Sequence, residues 1–404
     1  MTTVGASVGW FERWMSWFRR VRGEPRAADA ARHDPFSARD GERNRSIFGA
    51  SARAVGAAVD RSLLGLMKSA DRFPSDEQLA RVRREVDDAH ALMRSRAAPR
   101  SAAVFHRAPP AIDGLEQRSV WFPGLRYEQL SFQSGFEPDA GHPGAARWRS
   151  YVSNQTAHAW VLRHADDPGG TPRPWLVCLH GLGTGSPWMD FPGFRAAVLH
   201  HRLGLNLMFP VLPLQGPRRG PGMDRAALVS FDLIDTLHGI TQAVWDTRRL
   251  LQWIRAQGGE RIGVFGLSVG SYVASLVSGL EDLDLAVAGI PVCDLPGLFL
   301  SHSPPEMRAR EDWSEEVWGK TRELFAPIAP ASLTPRAAAE RRFIFAGKVD
   351  GITTPAQANR LWEAWDRCTI RWFDGGHVSY FWSGQVARFV DRALTGAGFR
   401  VPLR

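Results

Sequence analysis

The sequence predicts an α/β fold: a mostly parallel sheet with helices on both faces, preceded by a helical N-terminal extension and interrupted by a cap insertion. Three observations carry this. Short strand-like runs broken by Gly, Pro and Asn begin at Ser119, and after Pro172 they give way to alternating strand and helix patterns. That order places helices across both faces of a parallel sheet. The later runs end in glycine-bearing turns such as Gly266 to Gly270 and Gly375-Gly376, at the carboxyl ends of strands, where groups of such folds do chemistry. Finally, 404 residues, 44% hydrophobic and 23% charged, suffice for one large α/β domain with an extension and exclude a wholly disordered or low-complexity chain.

The elements follow in order. In 9–22, Trp10, Phe11, Trp14, Met15, Trp17, Phe18 and Val21 share one helical face, with Glu12, Arg13, Ser16, Arg19 and Arg20 on the other. An aromatic face opposite a basic one suits a helix lying in a lipid interface. The arginines follow and interleave the aromatics, unlike the leading charge of a secretory signal. Two readings stand: contact with an anionic membrane surface, or docking on the protein's own body or a second copy. Residues 24–45 read as a linker. A helix is expected over 51–70, apolar at Val55, Val59, Leu63, Leu66 and Met67, and Ser75 with Gln78 forms a capping box for a helix running to 96. The organisation expected is 1–26 as an amphipathic Trp/Arg-rich helix, 27–115 as an Arg-rich helical extension with linkers, and 116–404 as the α/β domain, its cap at about 294–335.

Strands are expected over 125–132, 148–152 and 157–163 as an antiparallel meander. Then come strand 175–179, helix 194–201, strand 205–209, a long helix 225–257, strand 262–265, helix 269–279, and strands 285–290 and 343–346. A helix to 366, strand 370–373 and a last helix 386–394 complete the chain.

The formal net charge is +8, and its location matters more than its size. Residues 1–110 hold 20 Lys and Arg against 13 Asp and Glu; the remainder holds 30 against 29. Only Lys68, Lys320 and Lys348 are lysines, and no zinc finger, RNA-binding signature or lysine-rich tail accompanies the arginines. A nucleic-acid partner is therefore not expected. No apolar run, the best being 285–293, approaches the roughly 18 residues of a membrane span. Cys178, Cys293 and Cys368 lack metal-ligand spacing and make no disulfide framework. A reducing, cytoplasmic setting is expected, peripheral to the inner face of the membrane if 9–22 binds it, and neither metal nor organic cofactor is expected.

The chemistry gathers at three strand ends. Gly266-Leu267-Ser268-Val269-Gly270 stands between a strand and a helix. This is nucleophile-elbow spacing: the turn strains the serine backbone, and glycines on either side leave room where side chains would clash. A serine hydroxyl needs a base within hydrogen-bond reach and a carboxylate to orient that base. Asp350 follows the strand 343–346 and His377 follows 370–373 in Asp374-Gly375-Gly376-His377, so the order is Ser268, Asp350, His377. Asp294, past the preceding strand, is the alternative acid. His180-Gly181-Leu182-Gly183 supplies an oxyanion loop, and the N–H groups of Leu182 and Val269 are assigned to it, with Gly183 as substitute for Leu182 and His180 as a brace.

These residues resemble the α/β-hydrolase fold from roughly Ser119 to the C-terminus. A closer similarity is to the subgroup typified by the eukaryotic α/β-hydrolase domain-containing protein 18, through Gly216-Pro217-Arg218-Arg219, Ala274-Ser275-Leu276 and Gly375-Gly376-His377-Val378-Ser379. The fold resemblance implies acyl transfer through a serine ester, most often to water, hence an esterase or lipase-like hydrolase of a small-molecule or lipid ester. An acyltransferase with the same triad and a non-catalytic membrane-associated protein are the rivals. Insertions like 294–335, bearing Leu295, Leu298, Phe299, Leu300, Trp313, Trp318 and Phe325, commonly cap the serine in this fold. Those residues either face an apolar substrate or bury each other. Arg218 and Arg219 either hold a substrate anion at the pocket mouth or face solvent.

Overall fold

Residues 47–70, 74–95, 101–139, 141–165, 172–310 and 313–401 are described by a computed structural model. The aromatic stretch 9–22 and the linker 24–45 lie outside these residues. The chain divides into two units, Met1–Ile47 and Phe48–Arg404, and the second holds the sheet.

Strands β1 (Glu116–Phe122), β2 (Leu125–Gln133) and β3 (Thr156–Leu162) form an antiparallel meander. β4 (Trp175–Leu179), β5 (Asn206–Pro210), β6 (Ile262–Leu267), β7 (Leu285–Gly289), β8 (Arg342–Gly347) and β9 (Thr369–Phe373) run parallel. The described strands make one sheet in the order β1-β2-β3-β5-β4-β6-β7-β8-β9. Every residue of β4 to β7 is buried, as expected of parallel strands covered on both faces. β1 was not anticipated, because its mostly exposed start, Glu-Gln-Arg-Ser, has no apolar signal and is held by its ladder to β2. From β4 the chain steps one way to β5 and then crosses back past β4 to β6 on its other side. The crevice between β4 and β6 is thus the topological switch point where such sheets hold their sites.

Helices α1 (Ile47–Ala70) and α2 (Asp76–Ser95) precede the sheet. The capping box forms: Ser75 N–H donates to Gln78 Oε1 at 2.9 Å and Gln78 N–H to Ser75 Oγ at 3.2 Å. On α1 Val55 does not pack as expected, and Val59 is half-buried. Val55 is 57% exposed, whereas Gly56 and Asp60 are buried.

Three other expectations are corrected. Residues 148–152 are not a strand: α3 (Ala145–Ser150) is followed by a single turn, Val152–Gln155. Trp148 there is fully buried, seated beside Gly239 and donating Nε1–H to Gln242 Oε1 at 2.9 Å. Tertiary packing overrides its strand-like composition. No α-helix spans 194–201: α4 (Pro187–Gly193) ends before it, Arg195 stands at a φ of 56°, which a right-handed helix cannot hold, and a π-turn, Val198–Arg202, follows. The long helix α5 starts only at Leu233 and runs to Ala256. Upstream of it, Asp232 N–H donates to Ser230 Oγ and Ser230 N–H to Thr236 Oγ1, each at 3.3 Å, local bonds that compete with helix.

α6 (Val269–Leu280) follows β6. The insertion after β7 contains α7 (Leu295–His302) and α8 (Glu315–Phe325). Its Leu295, Phe299, Trp313, Trp318 and Phe325 are buried within the main core cluster. α2 lies along it, joined by Lys320 to Asp87 at 2.7 Å, His90 to Glu323 at 2.9 Å and Arg310 to Asp76 at 2.6 Å. α9 (Thr354–Ala364) and α10 (Gly384–Gly396) follow β8 and β9. No helix among the described residues is long and apolar enough to cross a membrane.

Candidate active site

Ser268 stands between β6 and α6 at φ 54° and ψ −121°. For a residue with a Cβ this is strained and persists only where neighbours enforce it. The neighbours are visible: a Cβ on Gly266 would collide with the Gly270 carbonyl, and one on Gly270 with the Leu179 carbonyl at the end of β4. The serine is half-buried, so its hydroxyl can be reached.

His377 Nε2 lies 3.1 Å from Ser268 Oγ, and His377 Nδ1 lies 2.8 Å from Asp350 Oδ2. Asp350 Oδ1 accepts from the N–H groups of Ile352 at 2.9 Å and Thr353 at 2.8 Å, while Thr353 Oγ1 donates to Oδ2 at 3.0 Å. Burial opposes the Asp350 charge, but His377 and these bonds outweigh it and hold its pKa below the ordinary carboxylate value. Burial likewise opposes protonation of His377. The charge and hydrogen bond of Asp350, with the charge of Asp60, outweigh it and raise the pKa above the ordinary 6.5.

The loop after β4 abuts the serine: a Cβ on Gly181 would be 3.5 Å from Ser268 Cβ. Gly183 N–H donates to Gln215 Oε1 at 2.7 Å, so it is already engaged. Leu182 N–H has no partner among the described residues, and Val269 is the first residue of α6, where N–H groups lack intrahelical acceptors. His180 braces this loop: Leu212 N–H donates to its Nε2 at 3.0 Å, which leaves the proton on Nδ1, 2.8 Å from the Gly181 carbonyl.

Other sequence candidates go elsewhere. Asp294 does not reach the histidine; it caps α7 by accepting from Gly297 N–H at 2.9 Å and pairs with Arg360. Arg218 is neither at a pocket mouth nor in solvent. It is 1% exposed, lies 2.9 Å from Asp246 Oδ2, and donates to the carbonyls of Val211 at 2.9 Å and Asn154 at 3.0 Å. The inward turn of its loop makes it a brace, and only Arg219 of the pair is exposed. A cleft of about 600 Å³ opens in the 294–335 insertion beside Gly297, Leu300, Trp313 and Trp318, and none of Ser268, Asp350 and His377 lines it.

Three supporting residues escaped the sequence reading. Thr353 and Gln215 sit in loops beside recognised motifs, so that proximity was the available signal. Asp60 had none: it lies on α1, and its carboxylate accepts from the N–H of His377 at 2.6 Å.

No family model matches the chain. It is 43% identical over 303 residues to the uncharacterized proteins MT2702 and Rv2627c of two Mycobacterium tuberculosis strains, spanning 73% of this chain and 70% of each relative. Among solved structures, an acetyl xylan esterase from Paenibacillus sp. R4 superposes with a TM-score of 0.50 at 16% identity, over 79% of this chain and 94% of that one. With the sheet order above, this likeness identifies the fold as that of the α/β hydrolases.

Proposed function

We propose that this chain, which belongs to the same family as the two mycobacterial relatives, is a serine hydrolase that cleaves a carboxylic ester. The observation that carries the reading is the unbroken chain of contacts from Ser268 Oγ through His377 to Asp350, beside a Leu182 N–H with no partner among the described residues. In the proposed reaction His377 Nε2 takes the Ser268 proton as Oγ attacks the ester carbonyl carbon. The N–H groups of Leu182 and Val269 receive the negative charge on the carbonyl oxygen, a contribution of about 3 kcal/mol per donor in comparable sites. His377 returns the proton to the departing alcohol oxygen, and water, activated by the same ring, releases the acid from the serine ester. Asp350 keeps the ring in the required tautomer.

The buried cap aromatics favour no acyl chain length, so the substrate class stops at the ester. The narrower kinship with the protein 18 subgroup rests on the motif residues alone and adds no substrate. Ser268→Ala is expected to abolish both ester hydrolysis and covalent labelling by a fluorophosphonate, read by intact-protein mass. Labelling that persists in the variant would sink the assignment. Ester turnover that rises only when an alcohol or amine acceptor is added, with the acyl group recovered on the acceptor, would favour the transferase.

A further inference from the structure

We infer that Asp60, on the N-terminal helix α1, is a positioning residue that clamps the acid loop and the histidine loop of the triad together; this rests on the hydrolase reading above. One carboxylate reaches both loops. Its Oδ2 accepts from His377 N–H at 2.6 Å and from Gly351 N–H, next to Asp350, at 3.1 Å; its Oδ1 accepts from Val378 N–H at 3.3 Å. Asp60 is 1% exposed. A buried carboxylate is costly unless its hydrogen bonds are made, and here three backbone donors supply charge-assisted bonds of the stronger kind.

The approach is built for contact. A Cβ on Gly56, one turn before Asp60, would collide with Gly376 N and come within 2.8 Å of Ser379 Oγ, and a Cβ on Gly376 would collide with the Asp60 carboxylate. Only glycine on both surfaces lets helix and loop meet this closely. Arg53, on the same face of α1, pairs with Asp374 at 2.6 Å, and Lys348 reaches the same carboxylate at 3.0 Å. The charged groups around the ring are therefore Asp350 at Nδ1 and Asp60 at the backbone, with the Arg53, Asp374 and Lys348 cluster alongside.

Two consequences separate this role from ordinary packing. Errors of about 1 Å in a reacting group can cost roughly 100-fold in rate, so loosening the histidine loop acts on chemistry before it acts on folding. The Asp60 charge also favours protonated His377, so removing it must lower the pH at which the ring becomes a competent base.

The test uses the full chain with Asp60→Asn and Asp60→Ala, measuring the fluorophosphonate labelling rate of Ser268 against pH together with the thermal midpoint. Wild type is expected to lose labelling as pH falls through the raised pKa of His377. Asp60→Asn keeps one acceptor oxygen; its acidic limb is expected to move to lower pH, with a several-fold slower plateau. Asp60→Ala is expected to move the limb likewise and slow the plateau about 10- to 100-fold. If the alanine variant does not fold, the asparagine variant decides. Variants that label at the wild-type rate with an unmoved limb overturn the clamp, as does a loss no larger than the unfolded fraction with the limb unmoved. A wild-type chain that is not labelled at all overturns the hydrolase reading, and the clamp falls with it.

Discussion

Arg218 sets the lesson at the scale of single residues. Its neighbours in sequence, Gly216-Pro217 and Arg219, describe an exposed basic loop, yet its guanidinium is sealed against Asp246 and two backbone carbonyls. Burial alone disfavours both charges, lowering the Arg218 pKa and raising that of Asp246, and removing one partner leaves the other uncompensated. Arg218→Met is therefore expected to destabilise the protein by about 3–5 kcal/mol, measured by urea denaturation. A substrate-anion role would instead raise KM with stability unchanged. Ser268, Asp350 and His377 were legible because each follows a strand within a short turn whose chemistry is local. Asp60 was not, since its donors at His377 lie 317 residues away in the chain and no local pattern encodes such a pairing. Asp294 shows the opposite failure: it follows β7 as an acid should, and only the fold commits it to capping α7.

Among elements, α1 shows a contact that composition does not signal. Val55, on the apolar side by composition, is exposed, whereas the helix meets the histidine loop through Gly56 and Asp60, where close approach of backbones is what that surface offers. A glycine-to-alanine change inside an exposed helix normally gains up to about 1 kcal/mol. Gly56→Ala is expected to do the reverse, lowering the thermal midpoint and slowing Ser268 labelling about tenfold or more, because the new methyl group displaces α1 from the histidine loop. A raised midpoint with unchanged labelling would refute the contact. By contrast, the capping box at Ser75 and Gln78 was legible because its two bonds span only three residues.

At the scale of the whole molecule, the positive charge excess sits in the first 110 residues, part of which, α1 and α2, packs on the histidine loop and on the insertion after β7. For 9–22 we propose a peripheral contact with anionic membranes through Trp10, Trp14, Phe18 and the adjoining arginines. The full chain is expected to float with phosphatidylserine vesicles and a chain beginning at residue 27 to stay behind; equal flotation refutes it. The sequence by itself determined the alternation of strand and helix, the placing of Ser268, Asp350 and His377 after strands and the turn at Ser268, because periodicity, glycine and strand ends act over a few residues. Only the tertiary structure decided which carboxylate meets His377, where Arg218 turns, what the cap aromatics bury and that α1 reaches the histidine loop. Each of those is a contact between distant segments, and its energy exists only once the sheet has brought them together.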